Sequence, residues 1–204
     1  MKGFLKFGSQ IFHPLWMPLA GTLVYFLISP RFFPLPIVKA KLLAIAILTV
    51  FIPVIFAFLI KNLGLISSIH LRKVKERRLP LLFFSLLLLT ILNFIVESYR
   101  YPELYYFFSG ILYSSLLALL SSIFRLKVSL HMMGAAGFTT FLIALSVLYG
   151  TNLTYIIGFL IFILGWIASS RLLLKAHNEK ELLLGFVFGV IPQLLLLFIP
   201  NFFN

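Results

Sequence analysis

The 204-residue chain is 62% hydrophobic and 11% charged, with a mean hydropathy of +1.12; soluble domains carry about 25% charged residues, so a soluble globular class is excluded. It has no cysteine and no aspartate, which removes disulfides, thiolate chemistry and the Asp-rich magnesium sites used by many lipid transferases. The formal net charge of +12 sits in short loops between apolar runs, so anionic headgroups or phosphate groups are the expected partners, not nucleic acid.

Met1 to Gln10 carries Lys2 and Lys6 ahead of an apolar run. No small-residue cleavage site follows, so the segment reads as an anchor and not a signal peptide. Seven apolar segments then follow, near 11–33, 38–60, 79–97, 104–123, 128–149, 153–174 and 181–200, each close to the roughly 20 residues that cross a hydrocarbon core. Pro14, Pro18 and Gly21 interrupt the first, which can be a half-span, leaving six full helices. The expected fold is therefore all-α, a polytopic integral membrane bundle of six to seven transmembrane helices in one domain over residues 1–204. Pro53 and Pro192 are expected to kink their helices, and Asn93 and Gln193 to hydrogen-bond between helices.

The connections are short. Ser29 to Pro36 contains three prolines and must turn. Glu97 to Glu103 places Arg100 between two acids among Tyr99, Tyr101, Tyr105 and Tyr106, as in an interfacial aromatic belt. Gly150, Thr151 and Asn152 form a tight turn. With seven segments, the loops after the second, fourth and sixth fall on one side. These loops hold Arg72 to Arg78, Arg125 to His131 and Arg171 to Glu181, so basic and histidine residues converge on one face. Without those motif cations the two sides carry five and four bases, and charge alone does not set the orientation.

Ser170-Arg171, five residues, His177, three residues, Glu181 is the densest chemistry in the chain. Arg171 is a permanently charged fork for an oxyanion, His177 a nucleophile or base, and Glu181 a carboxylate one helical turn on that can orient the imidazole. Ser129-Leu130-His131 opens the fifth segment, and Arg72-Lys73-Val74-Lys75-Glu76-Arg77-Arg78-Leu79-Pro80 precedes the third. In this order the three regions resemble the signatures of the type 2 phosphatidic acid phosphatases, across a motif-bearing region of 72–181. The third signature matches except that Glu181 stands for aspartate. The second, Pro-Ser-Gly-His, keeps Ser129 and His131, with Val128 and Leu130 in place of Pro and Gly. The first, Lys, six residues, Arg-Pro, keeps only Pro80 and its basic content: Leu79 takes the arginine position, Arg78 lies one residue early and Arg72 stands for the lysine.

The resemblance implies a metal-independent, cofactor-free lipid phosphatase working through a phosphohistidine. His177 would attack phosphorus and Glu181 would orient it. His131 would protonate the leaving group. Arg171, Ser170, Ser129 and cations from Arg72, Lys75, Arg77 and Arg78 would hold the phosphoryl oxygens. The substrate would be a phosphorylated lipid of the phosphatidic acid, phosphatidylglycerol phosphate or polyprenyl phosphate class, and the location a membrane crossed several times. The same residues also have plainer readings. Cations at helix ends snorkel to headgroups, His131 can cap a helix, His177 with Glu181 can be an exposed ion pair, and His13 and His70 read as structural. A catalytically inactive relative binding anionic lipid, or a subunit of a membrane complex, stays open beside the enzyme.

Overall fold

The computed structural model describes residues 13–71 and 73–195, and among these the chain forms helices and no strand. A 3-10 turn, Pro14–Trp16, leads into α1 (Met17–Ile28). Among the described residues, five helices are long and apolar enough to cross a membrane: α2 (Leu35–Asn62), α3 (Val74–Phe94), α4 (Pro102–Ile123), α5 (Leu130–Tyr149) and α6 (Thr154–Leu173). The last, α7, covers Glu179–Leu194. The seven expected segments thus correspond one to one with seven helices, but α1 with its leading turn is shorter than a full span. The expected N-terminal anchor lies outside the described residues, as does the end of the seventh segment.

Prolines set the local irregularities, and each has its own compensation. Pro53 cannot donate to the carbonyl of Thr49, and the turn immediately before it, Ile47–Phe51, widens to a π-helix. Pro192 lies inside α7 and cannot donate to Phe188 O. Ser114 of α4 donates to that same carbonyl at 2.7 Å, so the helix continues with the acceptor satisfied from a neighbour.

The centre of the bundle is α4 and α5. They keep 50% and 56% of their most apolar stretch buried, against 22% for α2 and α6. The outer two therefore present their apolar side chains outward, as lipid-facing helices do. Phe107 and Phe141 stack across the α4–α5 junction at 4.1 Å, within a core that includes Tyr25, Leu88, Ile91, Leu104 and Leu145. Gln193 Nε2 donates to Phe107 O at 3.0 Å, the expected interhelical bond. Asn93 differs from expectation: its Nδ2 donates to Leu89 O at 2.8 Å within its own helix. An amide that can reach its own i−4 carbonyl needs no partner helix.

Helices α5 and α7 cross most closely. An added Cβ at Gly189 would meet Met133 O at 2.3 Å and Gly137 N at 2.9 Å, and one at Gly185 would meet Ser129 O at 2.5 Å. Only glycine permits backbones to approach this far, and a Gly-x-x-x-Gly spacing on α7 supplies it at two successive turns. Both helices start at the same end of the bundle, so this crossing fixes their two N-termini side by side.

The opposite end is braced by charge. Arg31 reaches the buried Glu103 with two hydrogen bonds of 3.0 Å, and Tyr25 Oη donates to Glu103 Oε2 at 3.2 Å. Lys41 pairs with Glu97 at 2.9 Å and lies over the Tyr101 ring. Glu103 therefore takes its cation from the α1–α2 loop, not from Arg100, its neighbour in sequence. Within the tyrosine group, Tyr99 is 83% exposed whereas Tyr101 is buried.

Candidate functional site

The basic end of the bundle collects the α2–α3, α4–α5 and α6–α7 connections, together with the start of the 3-10 turn that leads into α1. Helices α3, α5 and α7 all begin here, so their partial positive ends face the same region. Three helices end here by the same device. After α2, Leu65 N donates to Ile60 O and Gly64 N to Lys61 O. After α4 the pairs are Leu126 N to Ser121 O and Arg125 N to Ser122 O, and after α6 they are Ala176 N to Arg171 O and Lys175 N to Leu172 O. This hydrogen-bond pattern needs a left-handed residue after the helix, usually glycine. Gly64 meets that need, whereas Arg125 (φ 60°) and Lys175 (φ 50°) are cations in the position. A side chain in that conformation costs roughly 1–2 kcal/mol, offset in part by placing a cation at a helix C-terminus.

The turn after α6 delivers His177. Its Nδ1 lies 2.7 Å from Glu181 Oε2, and the imidazole side chain is only 8% exposed. The two do not face each other along one helix. Asn178 caps α7, its Oδ1 accepting from Glu181 N at 2.9 Å, while Glu181 Oε2 accepts from Asn178 N at 3.4 Å. Glu181 is thus the third residue of a capping box, and His177 is the residue just before the cap. The carboxylate is held by the backbone at the place where it meets the imidazole. Lys127, from the α4–α5 loop, stands 3.5 Å from the same Oε2.

Burial pushes the His177 pKa down to about 4, with the nearby Lys127 and Arg77 charges acting in the same direction and Glu181 opposing them. At neutral pH the ring is therefore neutral. With the carboxylate accepting at Nδ1, the proton sits on that nitrogen and the lone pair on Nε2. This is the protonation state a nitrogen nucleophile needs.

The second motif adjoins the third through the backbone. Ser129 N donates to Glu181 O at 3.0 Å, joining segments 52 positions apart. Ser129 is buried and caps α5, its hydroxyl accepting from Met132 N at 3.4 Å. His131 follows on the first turn of α5, and its ring meets His13 edge-on with centroids 5.1 Å apart. His13 in turn lies in the fields of Arg171 and His70, and burial with those two charges lowers its pKa. Ser170 is buried at the end of α6 beside Arg171, which is partly exposed.

The cations of the first motif separate. Arg77 is buried: its Nη1 donates to Val128 O at 2.7 Å and its Nε to Leu71 O at 3.0 Å, and its charge acts on both His177 and Glu181. Arg78 turns instead to the end of α4, donating to Ser122 O and Ile123 O at 3.1 to 3.3 Å. Lys75 is exposed. Arg72 lies outside the described residues. Of the described first-motif cations, the one set into the histidine–carboxylate group is Arg77, which motif spacing alone did not favour over its neighbours.

No family model, curated protein or solved structure matches this chain. The site therefore rests on its own geometry. Sequence reasoning overlooked Lys127 and left His13 as structural. Lys127 had a signal, since it lies two residues before Ser129 on the shared face. His13 had none, because its contact with His131 depends on how α1 packs.

Proposed function

We propose that the chain is a multi-pass, metal-independent membrane phosphatase that hydrolyses a phosphomonoester or diphosphate of a lipid through a phosphohistidine. The observation that carries this reading is the backbone bond between Ser129 and Glu181, which joins the segment bearing Ser129 and His131 to the carboxylate that orients the nearly covered His177 side chain. His177 Nε2 attacks phosphorus in line while Glu181 accepts at Nδ1 and balances the charge the ring gains. Arg77 and Arg171 offset the negative charge on the non-bridging oxygens. His131 donates a proton to the leaving lipid oxygen. It then takes one from the water that attacks the phosphohistidine, releasing phosphate and restoring His177.

The substrate class follows from the surroundings. A cationic, histidine-bearing end on a bundle of apolar helices suits a phosphorylated headgroup attached to hydrocarbon. The recess lined by Pro14, Met17, Phe84, Ile111, Met133 and Phe138 holds only ≈ 60 Å³, too little for an acyl chain, so the hydrocarbon would lie along the outward apolar side chains of the bundle. The test is phosphate release by detergent-purified protein with EDTA present. The panel is phosphatidic acid, phosphatidylglycerol phosphate and undecaprenyl diphosphate, with His177→Ala as control. Release that disappears in the variant supports the reading. Release from none of them by folded protein overturns it in favour of a lipid-binding relative without turnover.

A further inference from the structure

Lys127 belongs to none of the three motifs, yet it touches the centre of the site. Its Nζ donates to Ala176 O at 2.6 Å, in the turn that carries His177. The same ammonium stands 3.5 Å from Glu181 Oε2, the oxygen that His177 Nδ1 meets at 2.7 Å. The side chain is 28% exposed, unlike the exposed Lys73, Lys75, Lys175 and Lys180 nearby. One lysine thus ties the α4–α5 loop, and with it Ser129 and His131, to the carboxylate and the turn that present His177.

The electrostatic problem at His177 gives this contact a purpose. A carboxylate against an imidazole, with nothing else near, favours the doubly protonated ring, which has no lone pair for attack. The charged groups facing His177 are Glu181 from α7, Lys127 from the α4–α5 loop and Arg77 from the turn opening α3. Two cations therefore oppose one carboxylate, and Lys127 is the one in contact with the shared oxygen. We propose that Lys127 is a positioning residue of the proposed phosphatase, clamping Glu181 and the His177 turn so that the imidazole is presented neutral with its lone pair on Nε2. The inference rests on the phosphatase reading for its catalytic meaning, but its physical content can be measured without turnover.

The experiment is a ¹H–¹⁵N titration of the four histidines in micelles, with His177 assigned by its loss in His177→Gln. It compares wild type with Lys127→Met, Lys127→Gln and Lys127→Arg. The His177 midpoint should rise by about one pH unit in Lys127→Met and Lys127→Gln and stay near wild type in Lys127→Arg. The acid limb of kcat/KM should move upward with it. An unchanged midpoint in a folded neutral variant, judged by wild-type signals from the other three histidines, overturns the proposal. So does a loss of activity equal at all pH values with no movement of the acid limb, which is what a merely structural lysine would give. If wild-type protein hydrolyses nothing in the substrate panel, the phosphatase reading fails while the titration still decides what Lys127 does to His177.

Discussion

Replacing Gly185 by alanine tests how packing builds the site. The new Cβ would lie 2.5 Å from Ser129 O and 3.3 Å from Met132 Cβ. Comfortable contacts begin near 3.5 Å, so α5 and α7 would have to separate by about 1 Å. The obstacle is a backbone carbonyl, already accepting from Met133 N at 3.0 Å, so no rotamer change relieves it. Overpacking of this kind costs about 1–3 kcal/mol. The separation also pulls Ser129 from Glu181, and a 1 Å misplacement can cost roughly 100-fold in rate. Gly158→Ala and Gly165→Ala on α6 are matched controls, since a Cβ at either meets nothing within 4 Å. They should be neutral or gain up to about 1 kcal/mol from helix propensity. The assay is SDS titration of the helical signal in mixed micelles, paired with phosphate release. A Gly185→Ala protein as stable and active as Gly165→Ala would refute the close-crossing account of the site.

Other outcomes follow from the same geometry. The His177 pKa of about 4 lies below its ordinary 6.5, so as pH falls the unfolded chain takes the proton first. Stability is full above pH 6.5 and is lost progressively toward pH 4, by about 1–2 kcal/mol once solvent screening is allowed for; melting temperatures at pH 7.5 and 4.5 should differ less in His177→Asn than in wild type. Glu181→Gln can keep the capping box but loses the charge at Nδ1. Activity should drop about 10²- to 10⁴-fold with a melting temperature within a few degrees of wild type, and a large loss of stability would assign Glu181 to folding alone. At the other end, Glu103→Ala strands the Tyr25 hydroxyl and Arg31. Because the Arg31 side chain is 43% exposed, the cost should be about 1–3 kcal/mol, less than for a fully buried pair, read from thermal unfolding in detergent.

How much of this was legible in the chain depended on the range of each interaction. Helix number and order followed from apolar run length, because a lipid-exposed backbone must satisfy its own hydrogen bonds. The pairing of His177 with Glu181 was expected from a four-residue spacing. It occurs, but through a capping box whose signal, Asn178 followed by Glu181 three residues on, was present in the sequence. The expected solvent-exposed alternative for this pair does not hold, since the imidazole is nearly covered. Asn93 was misread because a polar side chain in an apolar run satisfies itself locally as readily as across helices.

The sequence by itself determined the all-α class, the seven apolar segments, the absence of thiol and aspartate chemistry, and the gathering of basic residues at one end. These are consequences of composition and of helical periodicity, both local. Only the tertiary structure decided that Arg77 is set inward while Arg78 caps α4, that Lys127 meets Glu181, and that His13 lies against His131. Each of these is set by which faces of distant helices meet. The glycines at 185 and 189 decide the closest of those meetings by letting two backbones approach where any side chain would hold them apart.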